Sequence, residues 1–420
     1  MFRRALFDAL EAAIADTPVV FIHGARQAGK TTLVRALIEA GHPASYLTLD
    51  EARVLSAAVN DPEGFVAGLT TPVVIDEVQL APGLFRAIKL AVDRDRRPGR
   101  FLLTGSAHLL VLPRLAESLV GRMEVMTLWP LSQGEIEGLE ERAVDALFDD
   151  PKLPVGEIAG ADDSLFERVA RGGFPEAVTR PTAARRRAWF EAYLTTLAQR
   201  DVRDLANIEG LLELPQLIRL LAARAATLLN SAELSRASGL SRSTLNRYLS
   251  LLEGTFLFQR LRPWSTNLSK RLVKSPKILP VDSGVACHLL GLDAHRLAAE
   301  PQVLGPLLES FVIHELLKQA TWSEARPWVF HYRSHTGQEV DVLLEDAAGR
   351  IVGVEVKSRA SVTARDFRSL RALAELLGDR FVRGVVLYTG PTGVPFGERL
   401  HALPVSWLWR GRPASGDRVS

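Results

Sequence analysis

Between Pro18 and Leu131 the apolar positions fall in short unbroken runs, and between those runs they recur at helical spacing. The runs cover 18–22, 45–49, 72–76, 100–104 and 124–128 and are rich in Val, Ile, Leu and Phe. Runs without polar alternation suit strands buried on both faces, and the segments between them suit covering helices. The alternation predicts a parallel sheet whose ligand lies at the carboxyl edge of the strands. From Ser132 to Ala226 the pattern is mostly helical, broken at Asp149–Ile158 and at the turn Gly172-Gly-Phe-Pro175. Ser231–Leu240 reads as a short helix ending at Gly239. Ser241–Leu252 reads as a second helix with Ser241 as N-cap, followed by a strand from Phe256 to Leu261. Past Lys277 the pattern predicts an amphipathic helix over Leu307–Leu317 and strands at Trp328–Arg333, Glu339–Leu344 and Ile351–Lys357. A helix over 364–377 and a strand at Gly384–Tyr388 follow.

The first apolar run leads into Gly24-Ala-Arg-Gln-Ala-Gly-Lys-Thr31, a complete G-x-x-x-x-G-K-[ST] phosphate-loop pattern, and a helix-compatible run from Thr32 follows it. Gly24 and Gly29 let backbone N–H groups turn inward around phosphate oxygens. Ala25, Arg26, Gln27 and Ala28 complete the loop, and the helix that starts near Lys30 adds unpaired N–H groups and a positive dipole end. Lys30 is expected on the terminal phosphates, the Thr31 hydroxyl on Mg²⁺, and Thr32 beside it. The third run, Pro72-Val-Val-Ile-Asp76-Glu77, ends in two carboxylates: Asp76 to help hold Mg²⁺ and Glu77 to polarise the attacking water. The fourth run ends in Thr104-Gly-Ser106, small hydroxyl residues placed to lie beside the γ-phosphate. ATP and Mg²⁺ are thus the expected cofactors.

Composition bounds this picture without changing it. The chain has 420 residues, 47% of them hydrophobic, enough for a large core and several domains. The formal net charge of +2 says little, so local clusters matter more. One cysteine, Cys287, excludes an intrachain disulfide and suits a reducing, cytoplasmic setting. The start reads as an amphipathic helix, not a signal peptide, and no apolar stretch is long enough to span a bilayer. The expected domains are 1–131, 132–226 as a helical lid or linker, 227–276, 277–412, and a polar tail at 413–420.

Two further clusters carry chemistry. Residues 231–264 resemble a winged helix-turn-helix, and from Ser231 to Lys277 nine basic residues face two acidic ones, Glu233 and Glu253. Arg242, Ser243, Asn246 and Arg247 stand at the start of the second helix, where contacts to DNA belong; packing or self-association is the other use of such a fold. Further on, Glu355-x-Lys357 puts a carboxylate and an ammonium on one side of a strand, with Asp341 on the preceding strand and Glu309 on the helix before it. Glu315 is the alternative helix carboxylate. Such a group is suited to hold one or two Mg²⁺ ions with Lys357 beside them, as in phosphodiester hydrolysis. The order of these residues resembles the PD-(D/E)XK nuclease core.

Over nearly its whole length the chain resembles the bacterial and archaeal ATPases that join an AAA+ domain to a winged helix and a C-terminal PD-(D/E)XK-like domain. The residues that carry this are Gly24–Thr31, Asp76-Glu77, Leu103–Ser106, Gly121-Arg122 with Trp129–Ser132, Gly172–Pro175, Gln199–Asp201, Lys277–Asp282 and Glu339–Lys357. The resemblance implies an α/β fold, Ser106 as sensor, and Arg122 (Arg114 in second place) as an arginine finger. A finger supplied in trans implies a homo-oligomer, of which a hexameric ring is one form. The implied task is ATP-driven work on branched or broken DNA, such as junction migration or repair. An ATP-dependent nuclease and an ATP-gated switch with a protein partner are the alternatives.

Overall fold

The computed structural model describes residues 2–106, 119–158, 164–197, 213–266, 275–334 and 337–411. Arg114, Gln199–Asp201 and the tail at 413–420 lie outside the described residues. The chain forms two compact units, Met1–Leu131 with Leu249–Leu257, and Ser132–Tyr248 with Phe258–Ser420.

The first unit is an α/β layer structure. Strands β1 (Val19–His23), β2 (Ser45–Thr48), β3 (Val73–Asp76), β4 (Phe101–Gly105) and β5 (Met123–Thr127) form a five-stranded sheet in the order β2-β3-β4-β1-β5. Every pairing in it is parallel. The apolar runs are continuous because both faces are covered. Phe21, Ile75 and Leu103 point into one core with the helix Leu84–Arg94. Val20, Ile22, Val74 and Leu102 point into the other, with the helices Leu6–Asp16 and Lys30–Glu39. Every strand ends at the same edge, so Gly24, Asp76 and Ser106 are brought together there.

The second unit holds two sheets. In the order β10-β11-β12-β13-β15-β14-β6, seven strands form the larger: β6 (Gly156–Glu157), β10 (Trp328–Arg333), β11 (Glu339–Glu345), β12 (Ile351–Lys357), β13 (Phe381–Tyr388), β14 (Thr392–Gly397) and β15 (Leu400–Pro404). The smaller has β7 (Thr227–Leu228), β8 (Phe258–Leu261) and β9 (Lys277–Pro280), in the order β7-β9-β8. The helix Pro301–Ala320 runs across the larger sheet, and twelve of its 20 residues are buried. Among the described residues, no helix is long and apolar enough to cross a membrane.

Two separated sequence motifs meet in this unit. Gly172 ends the helix Leu165–Arg171 at φ +70, and Asp282 caps the helix Ser283–Leu290. The Asp282 carboxylate accepts the Gly173 N–H at 2.7 Å and the Val285 N–H at 3.0 Å. A Cβ on Gly172 would lie 2.2 Å from Asp282 Oδ1, so both the backbone angle and the close approach require glycine there.

Candidate functional site

The loop before the helix Lys30–Glu39 turns at two left-handed positions, Gln27 (φ 62) and Gly29 (φ 100). Successive N–H groups in such turns face inward and form an anion cradle. Gly24 has no room for a side chain, since a Cβ would sit 2.1 Å from the Leu128 carbonyl oxygen. Lys30 is buried, and its Nζ donates to the Gly24 and Ala25 carbonyls at 3.0 Å each. The ammonium is therefore stationed over the loop, where phosphate oxygens would compete for its protons.

Asp76, at the end of β3, is buried and accepts from three hydroxyls. Thr31 Oγ1 donates to Oδ2 at 2.8 Å, Tyr46 OH donates to the same oxygen at 2.6 Å, and Thr104 Oγ1 donates to Oδ1. Burial first, and Asp76 second, push the Tyr46 phenol up to about 12, so it keeps the proton it donates. Glu77 takes a left-handed backbone angle, φ 58, an uncommon conformation for a side-chain-bearing residue and one found at functional sites. Its Oε2 accepts from Ser106 Oγ at 3.1 Å and from Gln79 Nε2, which also donates to Ser106 Oγ at 3.0 Å. Among the described residues, Gln79 Oε1 is buried beside this group with no hydrogen-bond partner. The cradle, the Thr31–Asp76 pair and this orphaned acceptor fit a nucleotide with Mg²⁺ and a water.

The sequence placed Thr31, Asp76, Glu77 and Ser106 together, and the fold does so. It places Arg122 elsewhere. Arg122 precedes β5 at the amino edge of the sheet, the edge opposite the loop, and its Nε lies 2.5 Å from Asp93 Oδ1. Tyr46, Gln79 and Arg4 had no sequence signal. Arg4 donates to the Ala28 carbonyl at 2.7 Å and to the Trp129 carbonyl at 2.7 Å, tying the loop to the segment after β5.

The helix Ser231–Ser238 ends at Gly239 (φ 72), and the helix Arg242–Gly254 begins after Ser241, which accepts the Thr244 N–H at 3.2 Å. Leu245, Tyr248, Leu249 and Leu252 are buried, while Arg242, Ser243, Asn246 and Arg247 share its exposed face. Of the nine basic residues counted from Ser231 to Lys277, Lys270, Arg271 and Lys274 lie outside the described residues. Lys277 is buried and does not belong to a surface.

Lys277 instead joins the C-terminal carboxylates. Its Nζ lies 2.5 Å from Glu309 Oε1 and 3.6 Å from Asp341 Oδ1. Asp341 Oδ2 accepts the Val356 N–H at 2.9 Å, and Lys357 Nζ lies 2.7 Å from Glu355 Oε2. Burial, and then the Asp341 charge, push Glu309 up to about 8 and Glu355 to about 7. Glu309, Asp341 and Glu355 do come together with Lys357, as their spacing predicts. Among the described residues no group of three or more His, Cys, Asp or Glu is disposed to hold a metal ion. The physical reason is that N–H groups and ammoniums already hold the carboxylates. Glu315 takes no part, since it is fully buried and accepts the Gln133 N–H at 2.9 Å while pairing with Lys318 at 2.7 Å.

Comparison with known proteins supports an AAA-type domain in the first unit. Residues 16–137 match the AAA domain family. The chain is 32% identical over 409 residues to an uncharacterized protein of Mycobacterium tuberculosis, a match that covers 97% of this chain and 84% of that one. The chain belongs to that protein's family. A Mycobacterium bovis protein matches with the same identity and coverage, and a Haemophilus influenzae protein is 25% identical over 260 residues, 58% of this chain and 57% of that one. Both are uncharacterized. A solved structure, the Walker-type ATPase of Pyrococcus abyssi, aligns at a TM-score of 0.40 with 14% identity, over 69% of this chain and 96% of that one. Residues 162–296 and 304–408 each match a domain of unknown function (DUF8612 and DUF4143). The segment matched to the AAA domain family thus carries every residue of the candidate nucleotide site from Gly24 to Ser106. The C-terminal cluster is drawn from two matched segments: Lys277 from the first unknown domain, and Glu309, Asp341, Glu355 and Lys357 from the second.

Proposed function

We propose that the chain couples Mg²⁺-dependent ATP hydrolysis in its AAA domain to work on DNA, held by residues 227–276 acting as a winged helix. The observation that carries the ATPase half is the Thr31–Asp76 hydrogen bond of 2.8 Å beside a buried Lys30 in a phosphate cradle. Lys30 would bind the terminal phosphates, and Thr31 with Asp76 would hold Mg²⁺. The bound ion would neutralise charge that develops on the phosphates. Glu77, fixed by Ser106 and Gln79, would orient the attacking water and accept its proton. Arg122, at the far edge of the sheet, would meet a nucleotide only in a neighbouring copy.

Support for the DNA half comes from the exposed face of the helix Arg242–Gly254. Arg242→Glu and Arg247→Glu are expected to weaken duplex binding and to lower the slope of log affinity against log salt by about 1 for each phosphate left unneutralised. An unchanged slope in a fluorescence-anisotropy titration would assign that face to packing or to a protein partner. The order helix, β10, β11, β12, helix, β13 supports a PD-(D/E)XK-like fold for the C-terminal part.

The test of the whole reading is ATP hydrolysis with Mg²⁺, alone and with single-stranded, duplex or four-way-junction DNA, against a Lys30→Ala blank. Stimulation by one DNA form is the expected result. Hydrolysis indifferent to every DNA would sink the DNA half, and hydrolysis equal to the blank would sink both.

A further inference from the structure

The cation among the C-terminal carboxylates is a side chain of this protein. Lys277 lies on β9, in the three-stranded sheet, whereas Asp341 and Glu355 lie on β11 and β12 of the other sheet. Its side chain is only 5% exposed. The strand that delivers it is packed firmly, because β8 pairs with β9 and the chain after β8 is bonded to β10. Trp264 N–H donates to the His331 carbonyl at 2.7 Å, and His331 N–H donates to the Arg262 carbonyl at 3.0 Å. Lys277 therefore enters the cluster from a fixed direction and does not swing in from solvent.

We infer that Lys277 is the resident cation of the Glu309–Asp341–Glu355 cluster, standing where a divalent metal would otherwise bind, so that this part of the chain performs no metal-dependent phosphodiester hydrolysis. The inference goes beyond the proposed ATPase and rests on the cluster alone, whether or not the chain binds DNA.

Charge balance supports it. Three carboxylates and two ammoniums, Lys277 and Lys357, leave one excess negative charge, where the carboxylates without Lys277 would leave two. Burial works against the charge on Lys277, but Glu309 and Asp341 outweigh it and hold its ammonium charged. Geometry supports it as well. Mg²⁺ demands near-octahedral oxygen ligands at about 2.0–2.1 Å. Asp341 spends one oxygen on the Val356 N–H, and Glu309 and Glu355 each already hold an ammonium. A metal would have to displace the Lys277 ammonium from both Glu309 and Asp341.

The test is Mn²⁺ binding to the full chain, read by electron paramagnetic resonance, in a Lys30→Ala/Asp76→Asn background that silences the nucleotide site. Adding Glu355→Gln to that background is expected to change nothing. Adding Lys277→Ala is expected to create about one further Mn²⁺ site per chain, lost again on Glu355→Gln. Mn²⁺ bound with Lys277 in place, and lost with Glu355→Gln, overturns the inference. No gain on removing the lysine also overturns it, because Lys277 would then be an ordinary ion pair. Should Lys277→Ala not fold, Lys277→Gln removes the charge with a side chain one atom shorter than lysine, and the comparison with Lys277 intact needs no change at that position.

Discussion

Glu77→Gln is expected to lower ATP turnover by about 10²–10⁴-fold, the range for loss of a positioned general base, while ATP affinity stays nearly unchanged. Glutamine keeps the size of the side chain, and so the backbone at φ 58, but cannot take a proton. Its place beside Ser106 and Gln79 is kept as well, so the loss reads on chemistry and not on folding. Binding is spared because Lys30, the loop N–H groups, Thr31 and Asp76 are untouched. The check is steady-state kcat beside equilibrium ATP binding. Turnover within twofold of the parent would remove Glu77 from the mechanism, and lost binding would reassign it to the nucleotide pocket.

Asp282→Ala is expected to destabilise the second unit by about 3–5 kcal/mol. Two buried N–H groups, of Gly173 and Val285, lose their acceptor at about 1–3 kcal/mol each, and the second of these bonds is the N-cap of the helix Ser283–Leu290. Denaturant unfolding followed by tryptophan fluorescence measures this, and a loss below about 1 kcal/mol would refute the role given to Asp282. The pH dependence carries a sign. Burial raises the Asp282 carboxyl above its ordinary 3.8, so what it adds to stability is complete below that value and shrinks as pH rises through the raised one. Asp282→Asn removes the titrating group and is expected to flatten that decline.

Much of the candidate nucleotide site was legible because it is local. The loop, its lysine and threonine, and the strands that end in Asp76 and Ser106 are each encoded in a few consecutive residues. A parallel sheet then sets all strand ends on one edge without further information. The predicted strands appear as β1 to β5 within a residue or two at each end. The sequence order of Glu309, Asp341 and Glu355-x-Lys357 was also enough to foresee that they meet.

What they meet was not legible. Spacing says which face of an element a side chain occupies, not which distant chain packs there. Glu309 and Glu315 lie on one helix, but six residues turn a side chain by about 240°, and only the packed structure shows that Glu309 faces the cluster. Lys277 read as one more surface base because charge counting cannot see burial. Tyr46 on Asp76, Arg4 on the loop and Asp282 under Gly172 are likewise contacts between separate elements. Periodicity and adjacent residues were enough to set the elements, their order and the chemistry of the nucleotide loop. Only packing could settle the partners of the buried charges, because a charge removed from water takes whichever partner the fold brings within reach.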